Sequence, residues 1–129
     1  VFAYNCEFDG TDTGIRIKSN RDCGGTVENL WFEDIRMGTI LKQAIIMDMW
    51  YNDKQRTLPP NPGTTPIFRN INIRNVTCRE AAEAMVLTGL PESPIHDVTL
   101  ENVTIRAKRG VTEEQTKNII KTNVRIETP

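Results

Sequence analysis

The chain has 129 residues, 38% hydrophobic and 26% charged, with 16 basic against 17 acidic side chains and a formal net charge of −1. This size allows one domain with a modest core, and the composition excludes a disordered chain. The charge balance excludes a global field for nucleic acid or an anionic membrane, and no apolar run approaches the ~20 residues of a membrane helix. Neither partner is expected, and an anionic ligand would have to meet a local basic site.

The chain opens on Val1-Phe2-Ala3-Tyr4-Asn5-Cys6, strand-like and without a Met or a leader. That opening suggests a start in the middle of a longer structure. Asn5-Cys6-Glu7-Phe8 is the first copy of a four-residue unit: Asn or Asp, apolar, any, apolar. Asp9 and Asp12 bracket Gly10-Thr11 and read as turn formers. A second strand follows, Gly14-Ile15-Arg16-Ile17-Lys18. Side chains alternate along a strand, so if Ile15 and Ile17 face inward, Arg16 and Lys18 face outward together.

The unit returns as Asp34-Ile35-Arg36-Met37, Asn75-Val76-Thr77-Cys78, Asn102-Val103-Thr104-Ile105 and Asn123-Val124-Arg125-Ile126, at spacings of 29, 41, 27 and 21. Five residues before the first apolar member of each unit stand Val1, Leu30, Ile71, Val98 and Ile119, and two residues on stand Ala3, Phe32, Ile73, Leu100 and Lys121. This is the alternation of a strand with one buried face, broken only by Lys121 in the last copy. The second strand recurs as Ala44–Asp48, Ala84–Thr88 and Gly110–Thr112, each opened by a small residue. Ile15, Ile45, Met85 and Val111 share one expected inward column, and Ile17, Met47 and Leu87 another.

Short strands repeating at this period are the mark of a solenoid, and no helical apolar set persists. The expected fold is all-β, a parallel β-helix of about four to five coils in a single domain, residues 1–129. One insertion, residues 52–66, is too rich in Pro, Gly and polar residues for a strand. It leaves from the end of a second strand, and either walls a groove there or is disordered. The Asn column reads as a ladder of side chains bonding from coil to coil. Asn75-Val76-Thr77 and Asn102-Val103-Thr104 also match the glycosylation sequon, but the rest of the column is explained by the ladder alone.

Cys6, Cys23 and Cys78 lack metal-site spacing, and no metal or cofactor is expected. Cys6 and Cys78 fall in inward columns; Cys23 sits in a turn. His96, the one histidine, reads as an outward coil residue, and Glu113-Glu114 as a solvated edge.

The phrases Gly14-Ile15-Arg16-Ile17-Lys18-Ser19-Asn20-Arg21, Gly24-Gly25-Thr26-Val27-Glu28-Asn29, Gln43–Met47 leading to Tyr51, and Gly89-Leu90-Pro91-Glu92-Ser93-Pro94-Ile95 running on to Leu100–Ile105 resemble, in this order, the family 28 glycoside hydrolases, the polygalacturonases and their relatives. The resemblance covers nearly the whole chain and implies a right-handed helix. It also implies a secreted, periplasmic or extracellular protein acting on acidic polysaccharide, polygalacturonate or rhamnogalacturonan. The family's Asn-Thr-Asp, Asp-Asp and Gly-His-Gly motifs stand upstream of Arg-Ile-Lys and are absent here, where only 15 residues precede Arg16. The chain thus resembles the C-terminal coils, with the N-terminal half missing. Self-association through the exposed N-terminal coil end is the expected consequence.

Family enzymes invert configuration with one carboxylic acid and one carboxylate base. No catalytic residue is assigned in this chain, which is expected to be inactive alone. What remains is binding. Arg16 and Lys18, about 6.5–7 Å apart on one strand face, form a receptor for a carboxylate. The resemblance implies that they grip a galacturonate carboxylate; on a generic strand they would be solvated charges. Tyr51 either stacks on a sugar, as the resemblance implies, or caps the core at a strand end. Trp50 reads as packing or loop-anchoring. Asp48 either pairs with and orients Lys18 or lowers the local positive potential. The alternative to a hydrolase portion is a non-catalytic carbohydrate-binding or structural β-helix remnant.

Overall fold

The computed structural model describes residues 1–53 and 55–129; Lys54, within the expected 52–66 insertion, lies outside the described residues. The strands are β1 (Phe2–Phe8), β2 (Ile15–Lys18), β3 (Thr26–Asp48), β4 (Ile67–Thr88), β5 (Ile95–Glu114) and β6 (Thr116–Glu127). All their pairings are parallel, in the order β1-β3-β4-β5-β6, with β2 also on β3. The architecture is a right-handed parallel β-helix, in which each long strand is most of one coil, bent at defined points.

Two of those bends are made by Asn and Asp. Asn5, Asp34, Asn75, Asn102 and Asn123 have φ between 53° and 56°. The left-handed region is costly for most residues and tolerated by Asn and Asp, which explains the residue choice. Their side chains bond along the axis: Asn75 Nδ2 donates to Asp34 Oδ1 at 3.1 Å, Asn102 to Asn75 at 2.8 Å and Asn123 to Asn102 at 3.0 Å. The sequon asparagines Asn75 and Asn102 therefore both have their amide nitrogens engaged in the ladder.

A second ladder runs five residues upstream. Asn29, Asn70, Asp97 and Asn118 also have φ of 52–58°. Asn70 Nδ2 donates to Asn29 Oδ1, and Asn118 Nδ2 to Asp97 Oδ1, both at 2.5 Å. Sequence reasoning overlooked this column, yet its spacings of 41, 27 and 21 match those of the first. The third bend is a register shift, between Ile40 and Gln43 and again between Cys78 and Ala81.

The core is the stack of inward columns. Ile15, Ile45 and Met85 are buried in one, and Ile17, Met47 and Leu87 in the next. Each such burial contributes roughly 1.5–3 kcal/mol. Gly14 opens β2 because a Cβ there would lie 2.5 Å from the Ala44 carbonyl oxygen and from Met37. Val111 continues the Ile15 column in register but is exposed, because β6 pairs with β5 only as far as Arg106 and leaves that part of the coil uncovered. At the other end, β1 pairs on one side only, with exposed Phe2 and Tyr4 packed edge to face at 5.4 Å. Among the described residues, no helix is long and apolar enough to cross a membrane.

Candidate functional site

The register fixes the site. Arg16 pairs with Ile46 and Lys18 with Asp48, so the side chains of β2 that avoid the core stand beside those of β3 on one outer face. Ile15 and Ile17 are buried while Arg16 and Lys18 are exposed, as the alternation requires.

β3 ends in a tight turn that delivers the third group. Asp48 Oδ1 accepts the Trp50 backbone N–H at 2.8 Å and the Thr88 hydroxyl at 2.7 Å. Its expected partner, Lys18, is not bonded to it. The carboxylate is spent on the turn, an Asx arrangement that costs less than leaving the Trp50 amide unpaired. Past that turn, Trp50 goes inward and is buried, with Nε1 donating to the Gly89 carbonyl at 2.8 Å. Tyr51 goes outward, and its N–H donates to Ser19 O at 3.1 Å, fastening it to the end of β2.

The three expected binding residues meet there. Lys18 Nζ lies 4.1 Å from the Tyr51 ring centroid and Arg16 Cζ 5.1 Å from it. Both cations are within cation–π range. Hydrogen bonding and charge from Lys18, then charge from Arg16, hold the Tyr51 phenol below its ordinary pKa. Among the described residues, neither Arg16 nor Lys18 has a carboxylate within 4 Å. A cleft of about 380 Å³ opens beside them, lined by Arg16, Tyr51, Asp48, Asp12, Lys42 and Arg56, among others.

The 52–66 insertion is neither a strand nor a loose loop. Asp53 is buried and accepts from Thr57 N, Thr57 Oγ1 and Leu58 N at 2.6–3.0 Å. Burial works to raise its pKa, but these donors outweigh it and hold the carboxyl below the ordinary range. Arg21 is buried too. Nε and Nη2 grip Glu92 in a two-pronged bond at 2.6 and 2.9 Å, Nη1 donates to Leu58 O at 2.5 Å, and the guanidinium lies 4.6 Å from the Trp50 ring centroid. The Ser93 hydroxyl holds Pro66 O at 2.7 Å. Arg21 therefore joins the turn after β2, the insertion and the turn before β5 over one tryptophan. Its place in the sequence carried no signal of this, because the partners are 37 and 71 residues away.

A family model described as Glycosyl hydrolases family 28 matches residues 1–125. The chain belongs to this family. It is 32% identical over 122 residues to a polygalacturonase of Medicago sativa, covering 92% of this chain and 28% of that protein. It is 30% identical over 93 residues to an exo-poly-alpha-D-galacturonosidase of Dickeya chrysanthemi, covering 69% and 15%. It is 35% identical over 63 residues to endopolygalacturonase B of Aspergillus oryzae, covering 49% and 17%. The chain thus spans less than a third of the length of these family 28 relatives.

Other candidates of the sequence lie elsewhere in this family 28 coil stack. His96 is half-buried, with Nδ1 2.9 Å from Asp97 Oδ2. Asp9 accepts the Thr39 N–H at 2.9 Å and so ties its turn to the next coil. Cys78 is buried, which raises its thiol pKa, Cys6 is half-buried and Cys23 exposed. Glu114, expected on a solvated edge, is instead bonded through both oxygens to Arg56 of the insertion.

Proposed function

We propose that this chain supplies the substrate-carboxylate site of a family 28 pectin-degrading hydrolase, with Arg16, Lys18 and Tyr51 receiving one galacturonate residue. The observation that supports this reading is the convergence of two cations, without acidic partners among the described residues, on one aromatic ring, with Arg16 and that ring lining a cleft. The guanidinium accepts a carboxylate with paired, directed bonds, the ammonium adds a point charge, and the ring offers a face to the apolar side of a sugar. The names of the three relatives all specify galacturonan.

Hydrolysis needs two positioned carboxyl groups at inverting separation. In the cleft, Asp48 is committed to the Trp50 turn, and Asp12 lies 4.0 Å from Lys42. We therefore assign no catalytic acid here. The 129-residue chain should release no reducing ends from de-esterified polygalacturonate, while binding trigalacturonate weakly. Titration calorimetry with trigalacturonate tests the binding: Arg16→Ala should lower affinity about tenfold or more, since charge-assisted hydrogen bonds are worth ~1.5–3 kcal/mol. Absence of binding by the unaltered chain would overturn the proposal. We also propose that the isolated chain self-associates through the outer edge of β1 beside Phe2 and Tyr4; a monodisperse monomer in light scattering would exclude that.

A further inference from the structure

Arg56 is carried by the insertion. Its backbone has φ 59°, unusual for an arginine, and its N–H is bonded to Asp53 O at 3.0 Å. The segment that carries it is fastened by buried Asp53 and by Arg21 bound to Leu58 O. Its guanidinium lies 4.8 Å from the Trp50 ring centroid and is bonded to Glu114. It also lines the same cleft as Arg16 and Tyr51.

The column geometry gives the separation. Lys18, Asp48, Thr88 and Glu114 are in register on successive coils. Three coil steps of about 4.8 Å put Glu114 roughly 14 Å along the axis from Lys18. Arg56 reaches Glu114, and its charge also acts on Asp48, one coil from Lys18, so this cation of the cleft stands along the column between Asp48 and Glu114. A chain of uronates, with a carboxylate on each residue, presents charges at successive positions along such a column.

We infer that Arg56 is a second carboxylate-binding group, carried by the insertion, which makes the cleft select oligomeric over monomeric uronate. This rests on the reading of Arg16, Lys18 and Tyr51 as the first carboxylate site. In the free chain, Glu114 occupies the fork of Arg56 as an internal stand-in for the ligand carboxylate. The pair is about two-fifths exposed on both sides, so the exchange of one carboxylate for another takes place at the surface without burying an unpaired charge. The guanidinium keeps its seat on Trp50 throughout, which limits the entropy lost on binding.

The test compares galacturonate with trigalacturonate by calorimetry on the full chain. The unaltered chain should bind the trimer more tightly than the monomer. Arg56→Gln should reduce trimer affinity about tenfold and leave monomer affinity unchanged. Glu114→Gln, which empties the fork without touching Arg56, should raise trimer affinity severalfold. A trimer-to-monomer ratio unchanged by Arg56→Gln would overturn the inference while leaving the first site standing. If Arg56→Gln does not fold, Glu114→Gln decides: unchanged or weaker trimer binding overturns it. Binding of neither sugar by the unaltered chain would sink the first site and this one together, whereas Arg16→Ala losing both sugars in parallel supports the division of roles.

Discussion

Along the first ladder, positions 34, 75, 102 and 123 carry Asp, Asn, Asn and Asn in successive coils, and each side chain after Asp34 bonds to the one before it. Along the column that begins at Lys18 the residues are Lys, Asp, Thr and Glu, and none repeats. The two columns share the coils of β3, β4 and β5, at the same axial spacing. The ladder repeats because each coil poses the same problem, a left-handed bend whose polar side chain needs a partner 4.8 Å away. The Lys18 column is free to vary because it faces outward, where the strand hydrogen bonds already hold the backbone. In a solenoid, recurrence therefore marks the residues that build the coil, and departure from recurrence on an outer face marks a candidate site.

The comparison can be broken first at Arg21, which belongs to neither pattern. Arg21→Ala removes both bonds to Glu92, the bond to Leu58 O and the contact with Trp50. It should destabilise the chain by roughly 2–4 kcal/mol, the range for losing one partner of a largely buried, hydrogen-bonded pair. Urea unfolding measures this; a loss under half a kcal/mol would mean that the insertion is held without it. Asn75→Ala is the matching test on the ladder. It deletes a donor and an acceptor and places an alanine at φ 54°, for an expected loss of about 1–3 kcal/mol. It should leave trigalacturonate affinity unchanged. Arg16→Ala should do the reverse, with an unfolding midpoint close to that of the parent and binding lost.

Acid sharpens the contrast in a graded way. Arg21 holds the Glu92 carboxyl, and Arg56 the Glu114 carboxyl, below the ordinary range, chiefly by hydrogen bonding. Asp53 is shifted the same way. For a carboxylate with a depressed folded pKa, the stabilising contribution is complete above the unfolded value, about 4, and is lost as pH falls through the folded value. All three groups fasten the insertion, so it should loosen before the ladders do. In a Trp31→Phe background, Trp50 emission should shift on acidification below about pH 4 while the far-ultraviolet strand signal persists, with no change between pH 6 and 8. A single coincident transition would show that insertion and coils melt together. The smallest effect is expected at Val111, where Val111→Thr should change stability by less than about 0.5 kcal/mol because the column is open at that coil; the same change at Ile45 should be severe.

Most of the coil was legible without coordinates. Period-two alternation around the Asn and Asp units determined the strands, the inward columns and the outward pairing of Arg16 with Lys18, because a strand has only two faces and burial selects one. The matched spacings of Asn29, Asn70, Asp97 and Asn118 held the second ladder too, though only the first was read. What tertiary structure alone decided lies between elements distant in sequence. It turned Asp48 away from Lys18 and onto the Trp50 amide, because a buried N–H needs an acceptor more than an exposed ammonium needs a partner. It exposed Val111, since burial depends on what lies over a residue and not on its column. It gave the insertion its order through Arg21, Glu92 and Asp53, and set Arg56 against Glu114. Such contacts depend on where a long connection folds back, and local periodicity carries no record of that.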